Sequence, residues 1–276
     1  MHRHHSNSSR FGMVLSDLHL FARRSRAADC LESVRADMAC ADVIVLNGDT
    51  FDFRWSTLPD RRTTIAASRD WLRAFVHNLP RCQLHFVLGN HDCLTDFRME
   101  LQSLVEELPR LHWHEHWLRL GPALFLHGDC AQRWMDAHEL RRYRAVWEKD
   151  GQRGRIFSQA YLAADRLGLT RLVHRRQFPQ AQTVQRVAHY LDAAWPEWRG
   201  SVRDCYFGHT HLAFSGCEHQ GVAFHNSGSA IRGLTFRPIR FDITEAMRKA
   251  CQRIREESRG VAGESPIGIS SETKVV

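Results

Sequence analysis

The stretch Val43-Ile44-Val45-Leu46-Asn47-Gly48-Asp49-Thr50-Phe51-Asp52 constrains this chain more than any other. Its apolar run is too short for a helix and rich in β-branched residues, the pattern of a buried strand. The run breaks at Gly48 and ends in a carboxylate, Asp49, where open α/β sheets place their ligand sites. The same arrangement recurs. Phe11–Leu15 leads into Asp17 and His19, Leu84–Leu88 into Asn90 and His91, Ala123–Leu126 into His127, and Cys205–Phe207 into His209 and His211. Each run ends in a residue able to bind a metal.

Helical stripes separate the runs, which makes the chain an α/β protein. Leu31, Val34 and Met38 predict one covering helix ending near Cys40. Trp71, Leu72, Phe75, Val76 and Leu79 predict a second, stopped by Pro80, and Phe97, Leu101, Leu104, Val105 and Leu108 a third, closed by Pro109. Asp17 and His19 stand two apart, so in extended chain they point the same way. Leu111–Leu120 alternates as one strand would, putting His112, His114 and His116 on one face. With no glycine turn or carboxylate beside them, that face is expected to meet solvent. Phe241–Ile243 reads as the last strand, followed by a helix from Thr244 to Glu257. Residues 1–10 read as a disordered lead and residues 258–276 as a tail.

With 276 residues and 43% hydrophobic content, the chain can bury a full core, as one large domain with a sizeable insertion. The formal charge of +7 favours anionic partners, namely phosphate esters, nucleic acid or an acidic membrane face. Eight scattered cysteines without a CxxC pair are expected as reduced thiols in a cytoplasmic protein. Arg133–Arg176 holds eleven Arg/Lys against five Asp/Glu. With the stripes Leu140, Tyr143, Trp147, then Phe157, Tyr161, Ala164, Leu167, and then Val184, Val187, Leu191, Trp195, this reads as a helical cap inserted at residues 130–200. Its arginines serve either as a solvated face or as phosphate contacts.

Asp17, His19, Asp49, Asn90, His127, His209 and His211 make seven candidate ligands. Mixed Asp, Asn and His donors suit Mn²⁺ foremost, or Fe²⁺, Zn²⁺ or Ni²⁺, rather than a thiolate zinc finger. Seven are too many for one tetrahedral ion and suffice for two if Asp49 is shared. Two ions about 3.5–4 Å apart acidify a water, clamp a phosphate and stabilise an in-line displacement.

Asp17-x-His19, Gly48-Asp49-x-x-Asp52, Gly89-Asn90-His91-Asp92, His127 and Gly208-His209-Thr210-His211 together resemble the calcineurin-like metallophosphoesterases, from about Phe11 to Ile243. The resemblance implies a four-layer α/β/β/α sandwich with two metals at the carboxyl ends of the strands. It assigns Asp17, His19, Asp49 and His211 to one ion, and Asp49, Asn90, His127 and His209 to the other. It makes His91 a catalytic group that contacts phosphate and protonates the leaving oxygen. Asp92 either holds the His91 imidazole or caps the helix that follows, and Asp52 orients loops. Asp17-Leu18-His19-Leu20, Gly48-Asp49-Thr50-Phe51-Asp52 and the insertion are similar to the UDP-2,3-diacylglucosamine pyrophosphatases. That branch implies a nucleotide-sugar lipid at the inner membrane face, with Trp134, Tyr143 and Trp147 meeting acyl chains and Arg141 and Arg144 meeting phosphates. Family nucleases keep nucleic acid as an alternative partner, and a non-catalytic metal-stabilised module is the third reading. His91 and the Asn226-Ser227-Gly228-Ser229 ending lean toward ordinary esters.

Overall fold

The computed structural model describes residues 10–149, 151 and 175–260. Two five-stranded sheets face each other, with helices on both outer sides. The first sheet runs β10 (Ile239–Asp242), β1 (Phe11–Leu15), β2 (Val43–Asn47), β3 (Gln83–Val87), β4 (Leu111–His114), with β1 to β4 parallel and β10 antiparallel at the edge. The second runs β5 (Trp117–Leu120), β6 (Ala123–Leu126), β7 (Asp204–Phe207), β9 (Val222–Asn226), β8 (Phe214–His219), with β6, β7 and β9 parallel.

Alternation along the first sheet sorts residues by size. Val14, Val43, Val45 and Val87 face the second sheet, while Met13, Leu15, Ile44, Leu46, Leu84 and Phe86 face the helices. Successive side chains on a strand point to opposite faces, so both faces of these strands are buried and the runs read as continuously apolar. The helix side is covered by α1 (Ala27–Ser33), α2 (Arg35–Cys40), α3 (Arg61–Asn78) and α4 (Thr95–Glu107). The single helix expected near Leu31 is two, because Val34 leaves helical geometry at φ −116° and ψ 12°. The third helix starts where Asp60 accepts the Thr63 amide at 2.7 Å, an N-cap.

Leu111–Leu120 is not one strand. The chain leaves the first sheet after His114 and enters the second at Trp117, turning at Glu115 and His116. The expected solvent-facing row is not found: His112 is only 4% exposed, its ring stacked 5.1 Å from His85 of β3.

Within the span read as a helical insertion, α5 (Ala137–Lys149) and α6 (Gln180–Ala194) are described. Val184, Val187 and Leu191 of α6 pack with Leu124, Cys205 and Phe224 of the second sheet, so this helix forms the outer layer of that sheet. Residues 150 and 152–174 of the span lie outside the described residues, as do residues 1–9 and 261–276. The final helix, α7 (Glu245–Gly260), begins where Thr244 Oγ1 accepts the Met247 amide at 3.2 Å, and inserts Met247, Ala250 and Cys251 into the core between the sheets. No described helix is long and apolar enough to cross a membrane.

Candidate metal centre

The loops after β1, β2, β3, β6 and β7 meet at the carboxyl ends of their strands. Five residues there hold left-handed backbone: φ is 53° at Asp17, 48° at His19, 49° at Asp49, 63° at His209 and 59° at His211. Each such residue costs of order 1–3 kcal/mol, and such strain persists only where surroundings enforce it. Backbone bonds do so here: Asp17 N donates to Gly48 O at 3.0 Å, His19 N to Asp49 O at 2.9 Å, and Ala230 N to Asp17 O at 3.0 Å. The expectation of an extended Asp17-x-His19 is corrected, since the segment bends at both residues to follow the adjacent loop.

The glycines of the motifs answer to close approach. A Cβ at Gly89 would lie 2.2 Å from Asp49 Oδ1, and one at Gly208 2.2 Å from Asp17 Oδ2. Only a bare Cα lets these carboxylates sit where they do.

Asp17, His19 and His211 form one set of donors and Asp49, His127 and His209 a second, with one ligand atom from each member lying within 4.8 Å of the others in its set. Asn90 joins the second set, its Oδ1 3.2 Å from His127 Nε2. Asp49 Oδ2 stands between the sets, 3.4 Å from His127 Nε2 and 3.8 Å from His19 Nε2. In the first set His211 Nε2 is 3.2 Å from both Asp17 Oδ1 and His19 Nε2. All seven candidate ligands therefore gather at one place.

The electrostatics call for cations. Asp17 and Asp49 are both buried, and among the described residues their ion-pair partners are all histidines. Burial, opposed by His127 and reinforced by Asp49, pushes the Asp17 pKa up. Burial also disfavours charge on His127, yet Asp49 outweighs it and takes that imidazole to about 10. Burial and His127 together hold His209 down at about 3. A buried cluster of oxygen and imidazole donors whose pKa values are displaced by one another fits two divalent ions sharing Asp49.

His91 stands beside this centre. Its Nδ1 donates to Asp52 Oδ1 at 2.9 Å, and its Nε2 lies 3.9 Å from Asp49 Oδ2. The other oxygen of Asp52 accepts from His19 Nδ1 at 3.2 Å, which leaves His19 Nε2 for the centre. The His91 ring bonds Asp52 rather than Asp92, and no side chain caps the following helix α4, so both expectations for Asp92 are corrected. Asp92 accepts backbone amides from Gly89 (2.6 Å), Thr50 (2.8 Å) and Phe51 (3.4 Å), tying the β3 loop to the β2 loop.

Several supporting residues escaped the sequence reading. Gln132 Oε1 accepts from His209 Nε2 at 3.1 Å, and Asn226 Nδ2 donates to Gly208 O at 2.9 Å and Thr210 Oγ1 at 3.1 Å. Ser229 Oγ donates to Asp17 O at 3.0 Å. The Asn226–Ser229 stretch was visible as a motif without a role, whereas Gln132 carries no signal.

The basic and aromatic residues of the insertion divide. Arg144 is buried and structural: its guanidinium pairs with Asp129 at 2.7 and 3.0 Å and reaches Leu88 O at 3.1 Å and Glu115 O at 2.6 Å. It pins α5 to both sheets and is closed to a phosphate. Trp134 is 49% exposed and meets His189. Trp147 lies 4.4 Å from His91, between that ring and the Arg54 guanidinium 4.6 Å away. Tyr143 and Phe178 meet His209 at 6.4 and 5.9 Å.

No curated protein matches this chain in sequence. Among solved structures, a dimetal phosphatase from Danio rerio is similar at 13% identity and a TM-score of 0.46, over 86% of this chain and 99% of that one. The family model described as calcineurin-like phosphoesterase matches residues 13–213, which hold all seven candidate ligands and His91. The chain belongs to the calcineurin-like phosphoesterase family.

Proposed function

We propose that this metallophosphoesterase hydrolyses esters whose leaving oxygen takes its proton from His91, with Mn²⁺ as the metal pair. When bound, two divalent ions supply Lewis acidity to phosphoryl oxygens and acidify a water. Asp17, His19 and His211 would hold one ion, Asn90, His127 and His209 the other, and Asp49 both. The remaining work belongs to the chain. Asp52 fixes the His91 ring through Nδ1, so Nε2 faces the centre. Burial disfavours the imidazolium, but Asp52 and Asp49 outweigh it and keep its pKa above the ordinary value. That shift favours a proton on Nε2, the position from which it would reach the ester oxygen as the P–O bond breaks.

The His91–Asp52 pair carries this reading. An alkoxide leaving group needs an acid, whereas a pyrophosphate bond expels a stable phosphate and needs little help. A second reading is the UDP-2,3-diacylglucosamine pyrophosphatase branch, supported by the aromatic wall of Tyr143, Trp147 and Phe178 around the centre. Eight free thiols support a reducing, cytoplasmic setting, and the charge of +7 supports contact with an acidic inner membrane face.

His91→Gln is the test. On an alkyl phosphoester it is expected to lower kcat about 10²–10³-fold, and on a p-nitrophenyl ester about 10-fold or less. Equal small losses on both would remove His91 as the acid. Wild-type preference for UDP-diacylglucosamine over esters would select the second reading, and cleavage of single-stranded DNA a nuclease.

A further inference from the structure

We propose that a cavity beside His211 is the subsite for the second ester arm of a phosphodiester, an arm bearing an anionic group of its own. The proposal rests on the hydrolase reading above and specifies its substrate.

The cavity holds about 380 Å³ and adjoins the centre, because Thr210 and His211 form part of its wall. Small-ligand sites span about 300–1,000 Å³, so it has room for far more than a phosphoryl group. The ring of His19 separates it from the acid, meeting His91 at 4.9 Å on one side and His211 at 5.1 Å on the other. A leaving oxygen must lie at His91 Nε2 to receive its proton. Whatever fills the cavity beyond His211 is then attached to phosphorus through a different oxygen and stays there. A monoester has no such group.

The walls describe the arm. Phe178 and Leu234 offer apolar surface, Arg175 and Arg237 contribute two exposed guanidinium groups, and no carboxylate lines the cavity among the described residues. Neither arginine has an ion-pair partner among the described residues, so both are available to an anion. Arg24 and Arg54, on the His91 side, are differently placed: one approaches Asp52 at 3.9 Å and the other lies over Trp147. Water adds across one P–O bond, the arm at His91 departs as an alcohol with the transferred proton, and the arm in the cavity remains as a phosphomonoester.

The test uses three p-nitrophenyl probes with the full chain and Mn²⁺: p-nitrophenyl phosphate, the p-nitrophenyl ester of thymidine 5′-phosphate, and the same diester with a 3′-phosphate. All release nitrophenolate, which needs little acid, so the arm is read apart from His91. The expected order of kcat/KM rises from the monoester to the plain diester to the 3′-phosphorylated diester. Leu234→Trp, which fills the cavity, is expected to lower the diester-to-monoester ratio about 10-fold. Arg237→Ala is expected to erase the gain from the 3′-phosphate, a change of about 5-fold. A monoester preferred by wild type, or ratios unmoved by both variants, overturns the subsite while leaving the hydrolase standing. If Leu234→Trp fails to fold, Arg237→Ala decides alone. Failure to cleave any probe with metal present overturns the hydrolase reading itself.

Discussion

Among the described residues two clusters of histidines are buried, and they behave oppositely. At the centre, His19, His127, His209 and His211 sit on loops, converge nitrogen-first and surround Asp17 and Asp49. On the inner faces of β3 and β4, His85, His112 and His114 lie with their rings stacked, His85 at 5.1 Å from His112 and 5.3 Å from His114. One contact there is a hydrogen bond, between His85 Nδ1 and His114 Nε2 at 3.1 Å. Burial pushes His85 well below its ordinary pKa and His114 down to about 3, so these rings are neutral. Residue type and burial alone do not make a metal site. Carboxylates and left-handed loops, which turn side chains inward instead of stacking them on a pleat, supply the difference.

The largest effect should separate the clusters outright. Asp49→Asn keeps an oxygen to accept the His91 amide, bonded at 2.8 Å to Asp49 Oδ1, but removes the charge that stands between the two donor sets. Hydrolysis is expected to fall on the order of 10³-fold, with loss of bound metal by elemental analysis. His114→Leu, in the stacked cluster, is expected to leave both metal content and kcat intact. Metal lost from the second variant, or retained with full activity in the first, would erase the distinction.

A smaller effect distinguishes two carboxylates, Asp52 and Asp92, by their roles. Asp52→Asn is expected to lower kcat on alkyl esters about 10–100-fold. Without the Asp52 charge the His91 pKa drops, so the alkaline limb of the rate profile moves to lower pH. Asp92→Asn disturbs backbone amides of Gly89, Thr50 and Phe51 and is expected to lower Tm instead. An equal shift of the pH profile in both variants would break the assignment of Asp52 to His91.

The sequence displayed the strands and their ligands because a buried parallel strand needs an uninterrupted apolar run, and a close-packed carboxylate needs a glycine opposite it. Val43–Leu46 before Gly48 and the Gly208–His209 step are such places. Backbone sign was hidden, since nothing in Asp17-x-His19 announces two positive φ values without a glycine. The partner of His91 was hidden too: Asp92 is its neighbour in sequence, and Asp52 becomes its neighbour only when the β2 and β3 loops meet. Alternation along β4 gave a half-exposed strand because periodicity reports two faces without saying what covers the second. Arg144 read as a phosphate contact for the same reason, as its partner, Asp129, arrives from another element.

The stacked cluster should reveal itself in acid. For His114 the folded pKa of about 3 lies below the ordinary 6.5, so folding favours the neutral ring. Its contribution is complete above 6.5 and is lost as pH falls from 6.5 toward 3, because there the unfolded chain takes up a proton that the folded chain refuses. At about pH 5 this amounts to roughly 1–2 kcal/mol for one histidine. His85 shifts in the same direction, so the two rings act together. Urea midpoints of chelator-treated protein at about pH 7.5 and 5 measure the loss without interference from bound metal. His114→Leu has no ring to protonate in the unfolded chain, and its midpoint is expected to fall less between the two conditions. If wild type and variant lose stability in parallel, the acid sensitivity arises at the centre, and the two clusters are not the opposites their contacts describe.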